Sequence, residues 1–122
     1  MTMTAGKRTP SRGEVWLVDF DPTKGSEIKK TRPAVVISSD GVGKLPIKLV
    51  VPLTHWDESF KGVHWHVQVR PDGLNGLDQV DSADILQMRC VAVQRFDRHL
   101  GRISENLLAQ IAAAIASVIE YS

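Results

Sequence analysis

At 122 residues, with 43% hydrophobic and 24% charged side chains, the chain has the size and balance of one globular domain around a single core. No run approaches the roughly eighteen apolar residues of a membrane span, and the basic start, MTMTAGKRTPSR, has no apolar stretch behind it, which argues against a secretory signal. Cys90 is the only cysteine, so no disulfide forms within the chain and a reducing cytoplasm suits it; the net charge of +1 gives no bulk attraction to a polyanion.

Residues 1–12 read as a flexible tail and residues 13–122 as one domain. Glu14–Phe20 (EVWLVDF) predicts a first strand, and a polar loop runs from Asp21 to Arg32. Pro33–Ser39 (PAVVISS) predicts a second strand, buried at its centre, before a turn at Asp40, Gly41 and Gly43. Ile47–Thr54 (IKLVVPLT) is a third, with Pro52 marking a bulge or an edge. Val63–Val69 (VHWHVQV) alternates, with Val63, Trp65, Val67 and Val69 on one face and His64, His66 and Gln68 on the other. After the Pro71-Asp72-Gly73 turn, Gly76–Val80, Ala83–Met88 and Cys90–Phe96 predict short final strands, with Cys90 buried as a small hydrophobe. Over 104–120 the period changes: Leu107, Leu108, Ile111, Ile115, Val118 and Ile119 fall on one helical stripe, with Ser104 as N-cap and Glu105 in the acid-favouring first turn. The fold class is mainly β with one C-terminal helix closing a small, strongly curved antiparallel sheet.

Charge is unevenly spread. Residues 22–33 carry Lys24, Lys29, Lys30 and Arg32 against Glu27, while residues 57–84 carry six acids against Lys61 and Arg70. A near-neutral chain can therefore still present a positive groove. The loop from Asp21 to Arg32 is longer than a hairpin needs, which favours a functional loop. Pro33 biases Arg32 toward an extended backbone, and a guanidinium fixed there suits a phosphate. His64 and His66 sit two apart on one strand face, but no nearby cysteine or third histidine completes a metal set, so neither metal nor cofactor is expected.

RGEVWLVDFDPTKGSE, then TRPAVVIS, then VVPLT, resemble the three signature blocks of the MazF/PemK toxin family, in order and at the right spacing, and the match runs on through LDQV and the helical C-terminus. The resemblance implies an SH3-like antiparallel β-barrel with a helical appendage and a homodimer. It also implies a MazE-like antitoxin partner and metal-independent cleavage of single-stranded RNA at short sequences. It makes Arg32 and Thr54 the catalytic residues and Glu27 an assisting acid. Arginine is a poor proton acceptor near neutral pH, so Glu27 is the better base if its loop closes over substrate.

Lys24, Lys29 and Lys30 are expected to line the groove, and His55 beside Thr54 has the chemistry for proton transfer, although on a continuing strand it faces the opposite way. Trp56 and Phe60 are placed to stack unpaired bases, Trp65 belongs to the core, and Gln79 in LDQV is a candidate for reading a base edge. The alternatives are a non-enzymatic CcdB-like toxin that binds DNA gyrase, which would need neither Arg32 nor Thr54, and an SH3-like adaptor, which would need an aromatic groove for proline-rich peptides.

Overall fold

The computed structural model describes residues 8–42 and 45–121. Its strands are β1 (Glu14–Asp19), β2 (Thr31–Val36), β3 (Ile47–His55), β4 (His66–Val69), β5 (Asp81–Asp84), β6 (Arg89–Ala92) and β7 (Phe96–Arg102), followed by the helix α1 (Glu105–Val118). All pairings are antiparallel, in the order β4-β5-β3-β2-β1-β7, with β6 also on β3. The expected antiparallel sheet with a C-terminal helix is thus the observed architecture.

β3 organises the sheet because it is long enough to serve two partners. One edge pairs with β2 through Val50–Pro52. The other pairs first with β6 through Ile47–Val50 and then with β5 through Leu53–His55. Pro52 is buried at this changeover, with no register partner on either β5 or β6, so a residue lacking an N–H breaks no rung there.

The two faces bury separate apolar clusters, as the two-residue period of strands requires. One holds Trp16, Val18, Phe20, Ala34, Val36, Val50, Val91 and Phe96. The other joins Val15, Val35, Val51, Leu53, Val69 and Ala83 to Ile103, Leu108, Ile111 and Ala114 from α1 and its approach, with Trp65 packed against it. Ser104 caps the helix, its side chain accepting from the Leu107 N–H at 3.1 Å.

Several boundaries differ from expectation, each for a local reason. Gly76–Val80 is not a strand. Asn75, fully buried, ties this segment into a turn by donating to the Arg70 carbonyl at 2.8 Å and accepting from the Leu77 N–H at 3.0 Å. Next to it, Gly76 at φ 71° lies so close to Leu100 that an added Cβ would stand 2.3 Å from its carbonyl oxygen. The two segments expected as strands over 83–88 and 90–96 are each interrupted by a 3-10 turn, at Ile85–Gln87 and Val93–Arg95. Cys90 is exposed on β6, not buried. β7 was not anticipated; it pairs with β1 through two register shifts.

Gly43 of the expected turn and residues 1–7 of the expected tail lie outside the described residues. Residues 8–12 are tied down. Arg8 pairs with the buried Glu14 at 2.8 Å, the Arg12 N–H donates to Asp40 at 2.8 Å, and the Arg12 side chain donates to the Ile37 carbonyl.

Candidate active site

Arg32 enters the sheet as the second residue of β2, opposite Val18 of β1, with Pro33 immediately after it. The β2–β3 register pairs Ala34 with Pro52. Two residues further along the same face come Arg32 and Thr54. Both line one pocket of about 480 Å³, together with His55, Trp56, Asp57 and Phe60. Thr54 and His55 were expected to diverge; at the end of β3 both residues line the same cavity.

Asp81, the first residue of β5, does not line this pocket, but it is the cross-strand partner of His55 and feels the charges of both His55 and Arg32. Asp81 is only 3% exposed, and its Oδ1 has no hydrogen-bond partner among the described residues. Burial pushes its carboxyl up to about 6, with the charges of His55 and Arg32 pulling in the other direction. Nε of Arg32 is likewise buried without a partner among the described residues. Arg32 and Asp81 thus offer one guanidinium donor and one carboxylate acceptor that the described residues leave unused, a costly arrangement unless substrate or water completes it.

The pocket continues along the chain. Asp57 accepts from the Ser59 N–H at 2.9 Å, which caps a 3-10 turn at Glu58–Phe60 and holds the Asp57 carboxyl below its usual range. The Trp56 N–H donates to the Val80 carbonyl at 3.1 Å and its indole Nε1 to Glu58 at 2.8 Å. Trp56 meets Phe60 edge-on at 5.7 Å, and Phe60 stacks parallel on His66 at 3.7 Å. His66 is fixed in turn by a 2.8 Å contact between its Nδ1 and the Ser82 hydroxyl. Asp84, the register partner of His66, has its carboxyl raised by burial and partly brought back by His66.

Trp56 and Phe60 also line a second pocket of about 310 Å³, which adds Lys61, His66, Gln68 and Arg70. The two pockets share Trp56 and Phe60, with the Arg32 guanidinium lining the first and Lys61, Arg70 and the acid Glu58 lining the second. Of the polar face expected over Val63–Val69, His66 and Gln68 line this second pocket, whereas His64 lies before β4, which begins only at His66, and its Nδ1 contacts the Ser117 hydroxyl at 2.7 Å.

Glu27 lines neither pocket. Its carboxylate accepts from the Lys24 N–H at 2.7 Å, and it lines a different pocket with Phe20, Ile28, Pro52 and Arg89. The cause is a distant clamp. The Gln87 side chain accepts from the Ile28 N–H at 3.0 Å and donates to the Ser26 carbonyl at 3.1 Å. Arg95 adds donations to the Asp19 carbonyl at 3.0 Å and to that of Asp21. Lys24, Lys29 and Lys30 are exposed on the same loop, and Gln79 is exposed in the turn before β5; none of the four lines the groove. Of the residues named from sequence, the structure brings together Arg32, Thr54, His55, Trp56 and Phe60. Asp81, Lys61 and Arg70 were missed; Asp81 stood among six acids of a segment that reads as solvated charge. Among the described residues no three His, Cys, Asp or Glu converge on a potential metal site.

Residues 11–119 match the family model described as PemK-like, MazF-like toxin of type II toxin-antitoxin system. The chain is 36% identical over 110 residues to endoribonuclease MazF9 of Mycobacterium tuberculosis, an alignment covering 85% of this chain and 91% of that protein. In fold it is similar to an endoribonuclease solved in complex with its cognate antitoxin from a mycobacterial species, with a TM-score of 0.73 at 16% identity over 93% of this chain and 98% of the other. It is similar also to the MazE-MazF structure from Deinococcus radiodurans, with a TM-score of 0.71 at 25% identity over 95% of this chain and 100% of that one.

Proposed function

Because this chain belongs to the PemK-like, MazF-like family of type II toxins, we propose that the Arg32–Thr54 pocket is where it cuts RNA, with the strand running on along the aromatic groove. The chain is an endoribonuclease toxin of a toxin–antitoxin system, with an antitoxin protein as its partner. The gyrase-binding and adaptor readings are not favoured.

The observation that carries the assignment is the convergence of Arg32 and Thr54 on one open pocket, with an arginine Nε that no described residue satisfies. RNA brings its own nucleophile, the 2′-hydroxyl next to the scissile phosphate. The protein must therefore hold the strand splayed, stabilise a crowded phosphorane and move protons. Arg32 supplies a fixed cation and up to two parallel donors to the nonbridging oxygens, and the Thr54 hydroxyl supplies a further donor. Trp56 and Phe60 offer faces for unstacked bases, and Lys61 and Arg70 offer charge for the phosphates beyond them. Attack by the 2′-oxygen leaves a 2′,3′-cyclic phosphate upstream and a free 5′-hydroxyl downstream.

Arg32→Ala tests this directly. The residue sits at the rim of the sheet, so the variant should fold, and loss of one charge-stabilising donor should slow cleavage of a synthetic RNA by about 10²–10³. A folded Arg32→Ala protein that cuts at the wild-type rate would remove the centre of the assignment. A homodimer is part of the same reading, supported by apolar surface at Leu45, Ile47, Ile119 and Tyr121, which are between 42% and 78% exposed.

A further inference from the structure

Arg32 and Thr54 account for the charge that develops on phosphorus but not for the proton that leaves the 2′-hydroxyl. A guanidinium has no acceptor to offer. Glu27 is held at another pocket by the Lys24 N–H and the Gln87 clamp. Two further groups at this end of the sheet, His55 and Asp81, oppose each other across the β3–β5 ladder.

We propose that His55 takes the proton from the attacking 2′-hydroxyl and that Asp81 is the positioning residue that holds its imidazole. The proposal rests on the reading of the Arg32–Thr54 pocket as the RNA-cleaving site. His55 and Asp81 are register partners of β3 and β5, and directly opposite residues of an antiparallel pair project to the same side of the sheet at Cβ separations of about 4.5–5.5 Å. Their burial is complementary. His55 is exposed and lines the pocket, whereas its partner Asp81 is buried, with one carboxylate oxygen unused by the described residues.

Oδ1 of Asp81 has no partner among the described residues, so a turn of the His55 ring toward it would let one ring N–H donate to the carboxylate and leave the other ring nitrogen as an acceptor facing the pocket. The charged groups identified around Asp81 are His55 from β3 and Arg32 from β2; its β4 partner, Val69, is apolar. Burial, the largest influence on Asp81, raises its carboxyl to about 6 against the opposing charges of His55 and Arg32.

The step balances without a metal or redox partner. The 2′-O–H bond breaks and its proton passes to the free ring nitrogen of His55. The 2′-oxygen forms a bond to phosphorus, and the bond from phosphorus to the 5′-oxygen breaks. The departing 5′-oxygen takes a proton from water, and the imidazolium returns its own to water.

The test measures pH–rate profiles of the full chain on one RNA oligonucleotide, for the wild type, His55→Ala, Asp81→Asn and Arg32→Ala. His55→Ala should lower kcat by about 10²–10⁴ with KM little changed, since a positioned base contributes on that order. It should also lose the acid limb of the profile and recover activity when imidazole is added, a rescue that a structural histidine would not allow. Asp81→Asn should lower kcat by a smaller factor and move the acid limb to lower pH, because the anion beside the imidazole is gone. An unchanged rate and profile in His55→Ala, beside an inactive Arg32→Ala, would overturn the pair while leaving the pocket intact. A wild-type chain that cuts no RNA would overturn both.

Discussion

Asp81→Asn removes a carboxylate from a place that disfavours its charge, and the size of that penalty follows from its environment. Burial raises Asp81 from 3.8 to about 6 even though His55 and Arg32 oppose the rise. At about 1.4 kcal/mol per pH unit, that displacement is worth about 3 kcal/mol. The folded state prefers the protonated acid, so the unfolded chain releases this proton first as pH rises. Stability from this group is therefore fully present below about pH 4, falls between pH 4 and 6, and is lost above about 6. Asparagine cannot ionise, so the stability of Asp81→Asn relative to the wild type should grow by up to about 3 kcal/mol between pH 4 and pH 7.5. Urea unfolding of both proteins at several pH values, followed by circular dichroism, measures this. A difference that stays constant with pH, or that moves against the variant as pH rises, would refute the claim that Asp81 is held in an uncompensated site. Together with the slower cleavage expected of the same variant, a gain in stability would mark Asp81 as a residue kept for chemistry at a cost in stability.

Phe60→Ala should raise KM for single-stranded RNA by about 5- to 150-fold with kcat little changed, since stacking one base on an aromatic ring is worth about 1–3 kcal/mol; an unchanged KM would place the strand elsewhere. The full chain should run as a dimer in light scattering at micromolar concentration, and a monomer there would contradict the homodimer.

Where residue type and period agreed, the sequence was enough to place the elements. EVWLVDF, PAVVIS and IKLVVPLT are β-branched runs that became β1, β2 and β3, and the helical stripe from Leu107 to Ile119 with its Ser104 cap became α1. β7 escaped because FDRHLGR looks like a charged loop: Asp97, Arg98 and Arg102 point to solvent, and only its pairing with β1 makes it a strand. Gly76–Val80 was expected as a short strand, yet the buried Asn75 just before it turns the segment back on itself.

The site divides the same way. Arg32 and Thr54 were legible because they sit inside signature blocks on regular strands. Where Glu27 lies was not legible, because five residues of separation from Arg32 say nothing about a loop held by Gln87, sixty positions further on. Asp81 could not be told from its five acidic neighbours in residues 57–84, since what distinguishes it is burial, and burial is decided by strands that meet only in the folded chain.

The account stands most directly on the bond chemistry at the Arg32–Thr54 pocket. The measurement is cleavage, in the presence of EDTA, of two otherwise identical oligonucleotides. One is all RNA; the other carries a single 2′-deoxy substitution at the nucleotide 5′ of the mapped scissile phosphate. The expected result is a cut in the all-RNA strand with a 2′,3′-cyclic phosphate or its opened 3′-phosphate upstream and a 5′-hydroxyl downstream, and no cut at that position in the substituted strand. Cleavage of the deoxy-substituted strand at the same phosphate would contradict the 2′-hydroxyl mechanism outright.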